Sequence, residues 1–406
     1  MWHSKLLRGT AGLAAAALVA ACASGPTPGG QTSSRTIAAA SSPVPSQAWV
    51  AARVEQPAAI EAAPTDAPVF CSPCHPVVGT YIDSLVAFNG GFLAFGHDQP
   101  PSHAALWSSR DALLWRREAG LPAPEGSSIS AAVANGGTVL AVGTSGQAGA
   151  AWRSTDGAAW TLIQLPGPET GSTERLAAVA GWGGGYVAGG YVQSATSVRS
   201  ATLWQSADGA AWTRATVELP SGSSEITGIA VMGPADLVAV GIAGDERSGT
   251  AAVWRSSDGA ASWSLVTSPA LSAGRMLGVA AGGPGIVAVG ELVAQTGAAA
   301  WFSADGSDWQ ASSGPGLQNY GLQMVMTAVN RDGSGLVAAG WRSDAGNGSA
   351  VVLRSSDGRT WVRLGQEPSF SGAGLSCVLG SPRLLVGGTM GWPDTHAAQV
   401  WTSAGG

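Results

Sequence analysis

One short element recurs seven times along this chain and constrains its fold more than any other feature. It reads Phe92-Leu-Ala-Phe-Gly96, Val139-Leu-Ala-Val-Gly143, Tyr186-Val-Ala-Gly-Gly190 and Leu237-Val-Ala-Val-Gly241. It continues as Ile286-Val-Ala-Val-Gly290, Leu336-Val-Ala-Ala-Gly340 and Leu384-Leu-Val-Gly-Gly388, with 47 to 51 residues between successive final glycines. A second element follows each copy and is clearest in Trp152-Arg-Ser154-Thr-Asp156-Gly157-Ala-Ala-Trp160. Its relatives run Trp204 to Trp212, Trp254 to Trp263, Trp301 to Trp309 and Leu353 to Trp361, and Trp107 to Trp115 lacks the Gly. Repetition at this period marks an architecture in which each unit is one supersecondary motif that buries its faces on its neighbours.

Each unit reads as four short strands. The first is apolar, as in Ile226-Thr-Gly-Ile-Ala-Val231, and a Gly-rich or Asp-Gly turn leads to the Val-Ala-Val-Gly run. That second strand is apolar on both faces, as a strand sandwiched between sheets must be. The third ends at the Ser-x-Asp-Gly turn and the fourth begins at the second Trp; Gly supplies the positive φ such a turn needs. Four-stranded units repeated around a channel make a propeller. The expected fold is therefore all-β, a seven-bladed β-propeller over residues 47–406. The last unit stops at Trp401-Thr-Ser403-Ala-Gly-Gly406, one strand short, while Trp49-Val-Ala-Ala-Arg-Val-Glu-Gln-Pro57 matches the fourth strand Trp212-Thr-Arg-Ala-Thr-Val-Glu-Leu-Pro220. The N-terminal strand is thus expected to complete the last blade and leave no open edge.

The Ser-x-Asp-Gly-x-x-Trp element resembles the Asp-box of sialidase-like propellers (BNR-type repeats). The resemblance implies that Asp111, Asp156, Asp208, Asp258, Asp305 and Asp357 are structural, on the face away from the active site. Most copies here have Trp six residues after Ser, one residue shorter than the usual box. The likeness therefore implies architecture rather than activity. Thirteen of the 17 tryptophans sit at repeat positions and are expected to fill the space between blades.

The first residues carry a different signal. Lys5 and Arg8 precede an apolar stretch, Ala11 to Ala21, which is too short to span a bilayer. It ends Val19-Ala20-Ala21-Cys22, which resembles a bacterial lipobox. That resemblance implies a signal peptide over 1–21, acylation of Cys22, and export to the extracytoplasmic side of a membrane. Residues 22–46 are rich in Ser, Thr, Pro, Ala and Gly, cannot bury enough surface to fold, and read as a flexible tether reaching about 25–30 Å. Only 11% of residues are charged and the net charge is −6, so the basic footprint that nucleic acid requires is missing. A monomer is expected, because a closed ring buries its own edges.

Ligand contacts are sought where residues break the repeat on the face opposite the Asp-containing turns. Directly after the repeat Gly come His97, Thr144, Tyr191, Ile242, Glu291, Trp341 and Thr389, a variety that packing does not dictate. With Tyr320, Trp392, Asp394 and His396 nearby, the candidate contacts are Trp341, Trp392, Tyr320, Tyr191, Glu291, His97, Asp394 and His396. Trp341, Tyr320 and Trp392 fall in neighbouring blades and could form one aromatic platform. Catalysis by a glycosidase needs two spaced carboxylates, for which Glu291 and Asp394 are conceivable. Arg175, Arg275 and Arg342 could be compared with a sialidase arginine triad, but none carries an Arg-Ile-Pro signature. No nucleophile elbow, zinc-protease motif or phosphate-binding loop occurs.

Cys71-Ser-Pro-Cys74-His75 matches a c-type haem attachment pattern. Its short Pro- and Ala-rich surroundings lack the helical domain that would shield a haem, so no cofactor and no metal is expected. A disulfide among Cys71, Cys74 and Cys377 is preferred, stapling the ring where its ends meet. The sequence thus points to an anchored, non-catalytic module for a glycan or a protein ligand. The alternatives are a sialidase-like or other glycoside-processing enzyme and a redox lipoprotein using the Cys-x-x-Cys-His segment.

Overall fold

The computed structural model describes residues 47–57, 78–244, 249–272, 274–282, 284–293, 297–318, 322–333, 335–344, 347–365, 367–391 and 395–404. The expected signal peptide, Cys22, the expected tether, Cys71, Cys74 and His75 lie outside these residues. Among the described residues regular structure is nearly all strand, broken by three single-turn 3-10 helices at Pro269–Leu271, Pro315–Leu317 and Pro368–Phe370.

Among the described residues the strands form seven antiparallel four-stranded units in chain order. The fourth unit is typical: Ser224–Val231, Leu237–Ala243, Thr250–Ser256 and Ser262–Leu265 pair each with the next. First strands of successive units pack on one another, and the first strand of the last unit packs on that of the first. The second strands are buried along both faces, and all thirteen repeat tryptophans are buried between sheets. Ala and Gly in these strands let two sheets approach while Trp fills the gap where they diverge.

Closure depends on the N-terminal segment. Trp49–Ala51 pairs antiparallel with Trp401–Ser403, completing the last unit as its sequence predicts. The chain then crosses over: Arg53–Val54 pairs parallel with Leu114–Trp115, the outermost strand of the first unit. The segment that matches it in sequence behaves identically, with Thr216–Val217 pairing parallel with Ser262–Trp263. In both places a buried Trp binds the crossing strand through its indole, Trp107 to Glu55 O and Trp254 to Glu218 O, each at 2.8 Å. In both, the Glu carboxylate accepts a backbone N–H of the strand beyond, from Arg117 at 3.1 Å and Leu265 at 3.0 Å. Similar residues thus reproduce the same crossover at two seams. A third tie is specific to closure: Val78–Gly79 pairs parallel with Thr395–His396.

The Ser-x-Asp-Gly turns satisfy their own backbone. In Ser303-Ala-Asp305-Gly306, Asp305 Oδ1 accepts the N–H groups of Ser307 and Asp308 at 2.8 and 3.0 Å, and Gly306 N–H donates to Ser303 Oγ at 2.9 Å. The Trp309 indole closes the turn on Gly306 O at 3.1 Å. Where Gly is missing, Ala112 takes its place at φ 62°. These bonds to the ionised form hold five of the six carboxyls below the usual range, chiefly through backbone N–H groups. In Asp258 the Ser262 hydroxyl leads.

A carboxyl lowered by folding stabilises the protein above its unfolded value of about 4 and loses that contribution as pH falls through the folded value. Glu174 runs the other way. Burial raises its pKa, against the opposing Trp204 indole and Arg214, so its contribution fades as pH rises. His396 is lowered by burial, which removes stability below about pH 6.5. With six lowered aspartates against one raised glutamate, thermal melts across pH 8 to 3 should show a small decline below about 6.5 and a steep one below about 4. A melting midpoint that stays level from pH 5 to 3 would contradict this account of the turns.

Candidate functional site

The residues opposite those turns are positioned by a device repeated in every unit. Each first strand carries a β-bulge, with the register slipping between Ile82 and Ser84, Ile129 and Ala131, Leu176 and Ala178, and Ile226 and Gly228. The slip recurs between Met276 and Gly278, Met326 and Ala328, and Leu375 and Cys377. The extra residues are Asp83, Ser130, Ala177, Thr227, Leu277, Thr327 and Ser376, and all seven line the central channel. A bulge bends its strand and re-aims a side chain.

The repeat Gly lies opposite each bulge, where a Cβ would sit 1.8 to 2.0 Å from a carbonyl oxygen of the first strand. Beyond it the second strand continues, so His97, Tyr191, Glu291 and Trp341 are strand residues rather than loop residues. They pair with Tyr81, Arg175, Arg275 and Val325. His396, expected in a loop, stands in the strand Thr395–Ser403 and is buried, because Gly79 packs directly over it. Arg175, Arg275 and Arg342 are likewise on strands.

Two adjoining cavities share Trp341, Gln323 and Thr327. The first, about 390 Å³, is lined by Arg199, Glu225, Arg275 and Glu291. Its charges are paired: Arg199 Nη1 lies 2.9 Å from Glu225 Oε2, and Arg275 holds the buried Glu291. Tyr191 lies under the Arg199 guanidinium, 4.8 Å from ring centroid to Cζ, and so supports that arginine rather than lining the cavity. The second, about 540 Å³, is walled by Tyr81, Trp341, Leu375 and His396, with Asp83 at its channel side. Tyr81 stacks on His97 at 4.9 Å and meets His396 edge-on at 5.2 Å. Burial pushes the Tyr81 phenol up and the His396 imidazole down. His97 donates from Nδ1 to Asp83 Oδ2 at 2.9 Å.

Of the sequence candidates, Trp341 and Glu291 share one cavity and Trp341 and His396 the other, while His97 lines the adjoining channel. Tyr320, Trp392 and Asp394 lie outside the described residues, so the aromatic platform and the Glu291–Asp394 pair have only one described member each. Arg175 lines the channel and Arg275 the charged cavity, where it pairs with Glu291, while Arg342 stands on the strand Gly335–Asp344. Cys377 is buried, which drives its thiol pKa far up, and Cys71 and Cys74, its expected disulfide partners, lie outside the described residues. Sequence reasoning missed Tyr81, Asp83, Arg199, Glu225 and Gln323; Tyr81 and Glu225 lie directly across from the residue that follows the repeat Gly and Asp83 is the bulge residue, whereas Arg199 and Gln323 carry no such signal.

No protein-family model matches the sequence, and no curated protein matches it significantly. The fold is similar to YCF48 bound to a D1 peptide, with a TM-score of 0.53 at 14% identity over 89% of this chain and 100% of the other. It is also similar to the GH74 xyloglucanase from Xanthomonas campestris, with a TM-score of 0.53 at 17% identity over 80% of this chain. The chain spans 55% of that enzyme's length. A weaker likeness, TM-score 0.49 at 12% identity over 81% of this chain and 55% of the other, is to Trypanosoma rangeli sialidase with the inhibitor DANA. At these identities the likeness is one of fold alone, and the chain is a β-propeller with four-stranded blades.

Proposed function

We propose that this protein is a non-catalytic binding module that takes an extended peptide segment of a partner across the two cavities flanking Trp341. The carrying observation is their pairing: a charge-balanced pocket and an aromatic pocket side by side, sharing one tryptophan. Alternate side chains of a bound extended segment face one surface and can fill neighbouring pockets of such different character. Both carboxylates of the charged pocket are engaged by arginines, which suits recognition of polar groups better than transfer of a proton. YCF48, a propeller of similar fold, carries a bound peptide, which is consistent with this reading. The module is further proposed to stand outside the cell on a lipid anchor at Cys22.

Incubation of the protein with peptide and glycan libraries, reading retention and product masses together, tests the reading. Peptide retained without mass change is expected. Retained glycan would replace the ligand class, and new product masses would overturn the non-catalytic assignment.

A further inference from the structure

The seven bulge residues do not all do the same work. The Thr227 hydroxyl lies 2.8 Å from Met276 O of the next sheet and 3.2 Å from Val240 O of its own. Thr327 repeats this with Leu375 O at 2.7 Å and Ala339 O at 3.1 Å. Ser376 does so with Ile82 O and Gly387 O. A hydroxyl at the bulge therefore staples neighbouring sheets. Asp83 occupies the same place in the first sheet, and an ionised carboxylate has no proton to give a carbonyl. Its Oδ2 accepts from His97, and Oδ1 has no hydrogen-bond partner among the described residues. It is also the one acidic member of the ring of bulge residues.

Three of the hydroxyls lining the aromatic cavity beside Asp83 are already committed. The Thr327 and Ser376 hydroxyls are committed to backbone carbonyls, and Ser343 Oγ to the backbone of Gln323. Among the described residues no Arg or Lys lines the cavity, and its clearly ionic group is Asp83. Aromatic faces with a single carboxylate attract a cation, through the ring quadrupole and through charge.

Resting on the peptide-module reading, we infer that the cavity of Tyr81, Trp341 and His396 seats an organic cation, the ammonium or methylammonium end of a lysine-like side chain, against Asp83. Its volume of about 540 Å³ admits such a head together with its alkyl stem.

The test uses the full chain and ligand-observed NMR titrations with three probes: Nα-acetyl-lysine methylamide, its ε-trimethyl form and the neutral Nα-acetyl-norleucine methylamide. The two cations should bind at least about tenfold more tightly than norleucine, and Asp83→Asn should abolish most of that difference while norleucine is unaffected. The comparison among probes within the wild-type protein stands even if the variant folds poorly. Equal binding of cationic and neutral probes would overturn the cation inference and leave the cavity as a ligand site. Binding of neither cation by a protein that still retains a library peptide would also overturn it. Failure of both probes and peptides would remove the module reading too.

Discussion

Gly241→Ala is expected to cost about 3 kcal/mol or more of stability, and to do so at a site where no ligand need touch it. The added Cβ would stand 1.9 Å from Glu225 O, which is backbone and cannot swing aside. Relief requires flattening the bulge between Ile226 and Gly228, which carries Thr227 and its bonds to the next sheet. The glycine is needed for close approach here, not for an unusual φ. Gly167→Ala serves as the control, since nothing lies within 4 Å of the new methyl and no positive φ is required. Thermal unfolding of both variants should give a large loss for the first and a change within about 0.5 kcal/mol for the second. Equal, small effects would show that the repeat Gly is not fixed by the bulge.

Trp254→Ala should be comparably severe, at about 3–5 kcal/mol. The indole is fully buried among Val187, Leu203, Ile226, Leu237 and Trp263, between the third and fourth sheets. Its N–H also meets Glu218 O, fastening the strand that crosses from one sheet to the next. Truncation therefore opens a cavity and leaves a carbonyl without its donor. Trp254→Phe keeps much of the apolar area and should lose less, with the missing hydrogen bond contributing roughly 1 kcal/mol. Chemical denaturation can separate the two. A Trp254→Ala loss below about 1 kcal/mol would contradict the role given to the repeat tryptophans.

Much of the fold was legible because its physical requirements recur. The bulge demands Gly opposite it seven times, the gap between diverging sheets demands Trp, and the tight turn demands Ser and Asp. Even the closing strand was readable, because Trp49 to Pro57 copies Trp212 to Pro220 and makes the same bonds. The further crossover of Arg53–Val54 onto the first sheet was not, since two residues in parallel pairing leave no periodic pattern.

The site was legible in part. Trp341, Glu291, His97 and Tyr191 stand out because they follow an otherwise monotonous Gly. Of their partners across the sheet, Arg175 and Arg275 drew notice only as arginines and Tyr81 and Val325 not at all: all four precede a bulge, whose extra residue breaks the two-residue alternation by which inward and outward positions are counted. Asp83 was hidden for the same reason, being itself the extra residue. Tyr191 was selected for its position, yet its ring supports Arg199 instead of lining the cavity, a distinction that only side-chain packing makes.

The central claim is that ligand is taken on the face of Trp341, opposite the Ser-x-Asp-Gly turns. The most direct test is retention of a library-selected ligand by the wild-type protein, by Trp341→Ala and by Asp305→Ala, each assayed well below its melting temperature. Loss of retention in Trp341→Ala, with Asp305→Ala binding as wild type, is the result predicted here. Undiminished retention by Trp341→Ala would place the ligand elsewhere on the propeller.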